Sequence, residues 1–249
     1  MSFRRTYDGA EPMRVNKWLA QAGVCSRREA EGLIAQGMVS IDGAIVSDPG
    51  RKIEIGQTIE IKDAARAAFS VVLNKPVGFV SAQPEKGQIP AARLIVKANL
   101  QGRADAIPSA QTKLAPLGRL DQDSRGLLIL SEDGVLAKAI IGPDSNLDKE
   151  YEVRVEGAIH EKKLKLLRHG LHLDGRALKP AKVSVIGDQL LRFVLREGRN
   201  RQIRRMCEAV DLNVVDLHRT RIGPLKIGDL REGKWRPLSA DERAALLSE

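Results

Sequence analysis

Apolar residues first recur with a helical period and then alternate. Val15, Trp18, Leu19 and Ala22 fall at i, i+3, i+4 and i+7, one face of a helix, and Gly23 stops it. Ser26-Arg-Arg-Glu29 fits a capping box, and Ala30, Leu33 and Ile34 give a second helix its buried face before Gly37. Val39-Ser-Ile41-Asp42-Gly43 then alternates as a strand entering a hairpin turn. Ile53, Ile55, Ile59 and Ile61 continue the alternation, broken at Gly56-Gln57. Residues 1–12 read as a polar, frayed leader, and the small-residue run Ala64-Ala-Arg-Ala-Ala as a linker within 63–69.

Beyond the linker, Val71-Val-Leu-Asn-Lys75-Pro76-Val-Gly78 reads as a strand leaving into a Pro/Gly turn. Residues 84–116 are the least regular part, with a helix predicted over Ala91 to Leu100 and a surface loop after it. The run Leu127-Leu128-Ile129-Leu130, closed by Glu132-Asp133-Gly134, is a buried strand preceded by a turn containing Asp121 and Asp123. Tyr151, Val153 and Val155 alternate with charged residues, as do Leu191, Phe193 and Leu195 with their own neighbours. His160 to His169 is helical with Leu164 and Leu167 inward. A helix from Arg201 to Val210 carries the stripe Ile203, Met206, Cys207 and Val210. Arg201 and Arg205 lie opposite that stripe, while Arg204 stands at its edge. Asn213 to Leu217 and Arg219 to Ile222 close the sheet, and Ser239-Ala-Asp-Glu242 caps a final helix. Short strands with few helices and no regular βαβ spacing predict an α+β fold built on a mainly antiparallel mixed sheet. The expected division is a leader at 1–12, a small N-terminal domain at 13–62, a linker at 63–69 and a large domain at 70–249.

Composition narrows the function. The hydrophobic content of 43% suits a packed core, and no stretch approaches the ~20 apolar residues of a membrane span. The N-terminus has no apolar signal region, and Cys25 and Cys207 form no CxxC pair, which together read as reduced structural thiols in a cytosolic protein. The four histidines lack metal-ligand spacing, so no metal site is expected. A net charge of +9 favours a polyanionic partner, and the absence of a basic amphipathic helix with bulky anchors favours nucleic acid over membrane. With only 3% aromatic residues, recognition should rest on phosphate contacts and shape rather than on stacking platforms.

Two sets of residues bear on chemistry. Arg27 and Arg28 occupy the first turn of their helix, where the macrodipole disfavours cations. A phosphate would offset that; equally, Glu29 and Glu31 neutralise the site and the arginines are solvated. Asp121 reads either as a turn residue accepting backbone hydrogen bonds or as a catalytic acid. Hydrolase and NTPase mechanisms lack their parts here, but one carboxylate can act as a nucleophile if a nearby arginine keeps it ionised. On local sequence alone, Arg204 could pair with Glu208 one helical turn away, and Tyr151 could be ordinary strand core.

Two resemblances decide between these readings. Met13-Arg-Val-Asn-Lys-Trp-Leu-Ala-Gln-Ala-Gly, Cys25-Ser-Arg-Arg-Glu-Ala and Gly37-Met-Val-Ser-Ile-Asp-Gly resemble the alpha-L RNA-binding module, in which the arginines matching Arg27 and Arg28 face RNA. Gly118-Arg-Leu-Asp121 with Ser124-Arg-Gly-Leu-Leu, Asn74-Lys-Pro-Val-Gly, Lys149-Glu-Tyr, Asn200-Arg-Gln-Ile-Arg-Arg-Met, His218-Arg-Thr-Arg-Ile and Gly233-Lys-Trp-Arg-Pro-Leu resemble a pseudouridine synthase of the RsuA-like branch. That branch acts on ribosomal RNA, and the match is most similar to large-subunit enzymes.

The resemblance implies cofactor-free isomerisation of uridine, with Asp121 attacking the nucleoside. Tyr151 would pack on the uracil, Arg204 would pair with the aspartate, and Arg119 would help displace the base from the stack. Flipping the nucleotide costs a few kcal/mol, which phosphate contacts must offset. Arg14, Lys17, Arg27, Arg28, Lys75, Arg201 and Arg205 are the residues expected on RNA. The expected partner is ribosomal RNA or a ribosomal assembly particle, bound by a cytoplasmic monomer without membrane association. The competing readings are a non-catalytic RNA-binding or ribosome-assembly factor and a synthase acting on transfer RNA. The leader at 1–12 and the long loop at 84–116 depart from the family pattern. Asp123 keeps its reading as a turn residue.

Overall fold

The computed structural model describes residues 3–62, 68–82, 84–109 and 112–248. Two compact units emerge, one comprising Met1–Phe69 and Ser131–Lys138, the other Ser70–Leu130 and Ala139–Glu249. The segment 131–138 therefore clusters with the N-terminal unit, although the sequence reading placed it within the large domain. Most of the expected linker, residues 63–67, lies outside the described residues.

In the first unit, helices Val15–Gln21 and Arg27–Ala35 accompany a four-stranded sheet whose first strand precedes them in the chain. The Ser26/Glu29 capping box forms as the sequence predicts: the Ser26 hydroxyl accepts from the Glu29 amide, and the Glu29 carboxylate accepts from the Ser26 amide. Strand Val39–Ile41 turns through Asp42 and Gly43, both at positive φ, into Ala44–Ile45. Two expectations need correction. Phe3–Thr6 is not frayed but pairs antiparallel with Thr58–Ile61. Apolar packing holds it there, since Phe3 and Tyr7 lie with ring centroids 6.3 and 5.8 Å from Trp18. Ile55 does not continue the buried alternation; it falls in the turn at Gly56 and is exposed.

The second unit is built on a nine-stranded sheet. Its path runs Lys182–Gly187, Leu190–Leu195, Lys149–Glu156, Asn213–Ile222, Arg125–Ser131, Ser70–Lys75 and Trp235–Pro237, with two short strands alongside. Pairing is antiparallel from Lys182–Gly187 through Leu190–Leu195 and Lys149–Glu156 to Asn213–Ile222. The pairing of Arg125–Ser131 with Asn213–Ile222 is parallel. This is the mixed, mainly antiparallel α+β architecture predicted from the alternation. Leu127 to Leu130 are fully buried on both faces, as a continuous apolar run in a central strand requires.

The predicted helix over 91–100 is instead two 3-10 turns, Ala91–Leu94 and Lys97–Asn99. Val96 between them is extended, and its carbonyl accepts from the Trp235 indole at 2.8 Å, while the Asn99 side chain takes the Leu94 carbonyl at 3.0 Å. Side chains thus claim carbonyls that a continuous helix would have used itself. Both cysteines are free, and burial pushes each thiol up to about 12, with Glu29 adding to the effect at Cys25. No helix among the described residues is long and apolar enough to cross a membrane.

Candidate active site

Asp121 stands in the turn between Gly118, at φ 91°, and the buried strand Arg125–Ser131. The Ser124 amide closes the turn on the Asp121 carbonyl at 3.1 Å. Its half-buried side chain lines a cavity of about 760 Å³, together with Arg119, Lys149, Tyr151, Arg204, Leu217 and Arg219. The volume accommodates a nucleoside.

Three elements meet here because the sheet order brings them together. Tyr151 lies on the strand Lys149–Glu156 directly opposite Arg219 on one neighbour and Phe193 on the other. Only 9% of the tyrosine is exposed, and Lys149 stands two residues before it, also against the cavity. Burial, reinforced by the Arg219 charge and opposed by Asp148, lowers the Lys149 pKa. Arg201 and Arg204 come from the start of helix Gln202–Glu208. Arg201 caps that helix in the left-handed region, φ 48°, a conformation that costs a side-chain-bearing residue ~1–3 kcal/mol and must be held by its contacts.

The arginines do not share the carboxylates as the resemblance implied. Arg204 Nε lies 3.3 Å from Asp123 Oδ2, its Nη2 donates to the Asp123 carbonyl at 2.7 Å, and its Nη1 donates to the Val214 carbonyl at 3.1 Å. Arg201 grips both Asp123 oxygens, at 3.2 and 2.9 Å, and its Nη1 also lies 3.8 Å from Asp121 Oδ2. Asp123 is therefore the doubly paired acid rather than a bland turn residue. Burial alone would raise its pKa, but the Arg201 hydrogen bonds and the charges of Arg204 and Arg201 outweigh it and hold the carboxyl below its usual range. Among the described residues Asp121 is left with one long arginine contact, which leaves its oxygens available for bond formation.

Lys75 requires a second correction. It is 0% exposed, and its ammonium donates to the Pro76 and Phe79 carbonyls, both at 2.8 Å, so it braces the Pro/Gly turn instead of meeting RNA. Burial lowers its pKa to about 8, against the raising influence of Asp123 and Asp121 and with the help of Arg219. Arg205 is committed to Asp174 through two hydrogen bonds, 2.6 and 3.0 Å. Arg14, Lys17, Arg27 and Arg28 are exposed in the first unit, and Arg119 is exposed in the second. None of these five has an ion pair among the described residues. No group of His, Cys, Asp or Glu that could hold a metal ion occurs among the described residues.

Sequence reasoning missed Arg219 as a member of the site. It is 2% exposed, with Nε on the Leu127 carbonyl at 2.7 Å, Nη1 on the Arg119 carbonyl at 3.2 Å, and Nη2 without a hydrogen-bond partner among the described residues. The available signal was an arginine at the inward phase of its strand, two residues after buried Leu217.

Residues 70–209 match the RNA pseudouridylate synthase family, more than half of the chain. The chain belongs to that family. Residues 13–59 of the synthase match the S4 domain. Ribosomal large subunit pseudouridine synthase B of Bacillus subtilis is 34% identical over 239 residues, covering 92% of the synthase and 93% of the relative. The dual-specificity RNA pseudouridine synthase RluF of Escherichia coli K12 is 36% identical over 239 residues, 92% of the synthase and 77% of the relative. Among solved structures, a crystal structure of a pseudouridylate synthase superimposes with a TM-score of 0.66 at 28% identity, over 94% of the synthase and 99% of that chain.

Proposed function

We propose that this pseudouridine synthase isomerises a uridine of ribosomal RNA, large-subunit RNA by preference, with Asp121 as the nucleophile. The observation that carries the reading is Asp121 itself: a carboxylate with one long ion contact among the described residues, opening on a nucleoside-sized cavity beside Tyr151. Asp121 attacks the flipped nucleoside and the N-glycosidic bond breaks; the base turns and bonds to the ribose through its C5, the bond to Asp121 is released, and the C5 proton is lost while N1 takes one up. Tyr151 packs on the uracil, a role its burial on a central strand supports by fixing the ring. Arg204 acts indirectly: through Asp123 it anchors the turn that presents the nucleophile. Arg119, exposed beside the cavity and without an ion pair among the described residues, helps displace the base.

Arg14, Lys17, Arg27 and Arg28 of the S4 domain are proposed phosphate contacts, and Arg201, which lines the cavity of the second unit, is another. Their charge offsets the cost of flipping, a few kcal/mol. The reaction needs no cofactor, and the protein acts as a cytoplasmic monomer on RNA or on an assembly particle. Large-subunit RNA is favoured because a relative named for it, the Bacillus subtilis synthase B, matches over 92% of the chain.

Carbodiimide-dependent primer extension on total RNA from a deletion strain, rescued by wild type or by Asp121→Asn, tests the proposal. A stop that returns with wild type and not with Asp121→Asn, at a large-subunit position, is expected. Equal modification by both proteins overturns the mechanism, and a stop confined to transfer RNA overturns the substrate class.

A further inference from the structure

The backbone around Asp121 is held from all sides while its carboxylate is not. Every carbonyl from 119 to 123 accepts a hydrogen bond, and four of the five come from distant segments. Arg219 Nη1 takes the Arg119 carbonyl at 3.2 Å, and Ser81 Oγ donates to the Leu120 carbonyl at 2.7 Å. The Ser124 amide takes Asp121, the Gly78 amide takes Gln122 at 2.8 Å, and Arg204 Nη2 takes Asp123 at 2.7 Å. Ser81 acts twice, since its hydroxyl also accepts from the Leu120 amide at 2.8 Å.

We infer that Ser81 and Arg219 are positioning residues for Asp121, which they set through the backbone of the two residues before it. The inference rests on Asp121 being the nucleophile. Ser81 and Arg219 are 5% and 2% exposed. Neither is needed to satisfy its own strand: Ser81 follows the short strand Phe79–Val80, and Arg219 spends its guanidinium on carbonyls of other segments. A hydroxyl that closes both polar groups of one residue fixes that peptide in position and in rotation. The next side chain then leaves the backbone in one direction, toward the cavity. A reaction that must place a carboxylate oxygen on a particular atom of the nucleoside depends on this, because a misplacement of ~1 Å costs ~10²-fold in rate.

The test compares Ser81→Ala, Ser81→Cys and Arg219→Lys with wild type on a transcript of the RNA segment around the mapped uridine. Single-turnover rates at saturating RNA are read against Kd from filter binding and against the folded fraction from thermal melts. The expected result is a rate loss of ~10- to 100-fold for Ser81→Ala per folded enzyme, with Kd within about twofold of wild type. Ser81→Cys changes one atom and keeps a weak donor and acceptor, so its rate should fall between the two. Arg219→Lys keeps the charge but not the two-pronged reach, and it should lose rate as well. A wild-type rate in folded Ser81→Ala, or a loss carried wholly by Kd or by the unfolded fraction, overturns the inference. If Ser81→Ala does not fold, a wild-type rate in Ser81→Cys overturns it alone. These outcomes count against the positioning role only where Asp121→Asn is inactive; an active Asp121→Asn sinks the nucleophile itself.

Discussion

Arg204 is bonded to Asp123, not to Asp121: its Nε is 3.3 Å from the Asp123 carboxylate and its Nη2 holds the Asp123 carbonyl at 2.7 Å. The pairing divides labour between two acids two residues apart. Asp123 absorbs the positive charge of the helix that begins at Gln202 and ties the turn to it. Asp121, spared that task, keeps its oxygens for substrate.

Removing that anchor should slow the reaction without abolishing it. Asp123→Asn keeps the turn's size but loses the ion pairs with Arg201 and Arg204, and the single-turnover rate should fall by ~10-fold, against near-complete loss in Asp121→Asn. The pair also has a pH signature. Because the folded carboxyl lies below its unfolded value of ~3.9, its stabilisation is present above that pH and is lost as pH falls through the folded value. Thermal melts of wild type and Asp123→Asn from pH 6 down should therefore converge below pH ~4. The half-exposed carboxylate keeps the effect small. A constant difference across the range would show that the arginines do not stabilise the turn through its charge.

Periodicity was enough to place most strands and helices, because each buries one face or both against a neighbour. The motif order located Asp121 and Tyr151, and the cavity brings them together. Partner choice was not legible. A long arginine at a helix edge can reach either of two carboxylates, and only the position of the Val214 and Asp123 carbonyls decides which. Lys75 was misplaced for a related reason: in sequence it is a cation in a turn, and only the fold shows two carbonyls enclosing it. Phe3 and Tyr7 looked like part of a polar leader because the ring they pack on, Trp18, lies more than ten residues away in the chain. Ser81 carried no local signal at all.

Lys75 offers a second, independent check on the turn at 76–79. Lys75→Met removes the donor from two carbonyls and should destabilise the protein by ~1–3 kcal/mol at pH 7. The wild-type lysine has a folded pKa of about 8 against ~10.4 when unfolded. Between those values the unfolded chain binds more protons, so the lysine's contribution to stability rises with pH. The difference between wild type and Lys75→Met, measured by urea unfolding, should widen from pH 8 to pH 10. A difference that narrows would mean the ammonium is not buried as described.

Gly126 marks the closest backbone approach behind the site. It pairs in parallel with Arg219 at φ 109°, and an added Cβ would overlap the Arg219 carbonyl and come within 2.6 Å of the His218 ring. Gly126→Ala should cost more than ~2 kcal/mol, from backbone strain and from parting the two strands. Gly102 has φ 88° with nothing near its Cβ position, so Gly102→Ala isolates the strain, ~1 kcal/mol. Equal losses in the two variants would remove the close approach as a determinant.

The S4 domain makes the prediction that separates RNA capture from chemistry. Arg27 and Arg28 start helix Arg27–Ala35, whose cap is already satisfied by Ser26 and Glu29, so the arginines contribute nothing to capping. They are exposed, and they have no ion pair among the described residues. Their position at the positive end of the dipole is mildly unfavourable to the helix, by a few tenths of a kcal/mol each. Arg27→Gln with Arg28→Gln should therefore leave the melting temperature unchanged or slightly raised while weakening RNA binding. If both side chains sit on phosphates, the slope of log K against log salt should flatten by ~0.7–0.9 for each. The rate at saturating RNA should remain that of wild type, since neither residue lines the cavity. An unchanged salt slope would return both arginines to the solvated surface and move phosphate recognition elsewhere on the chain.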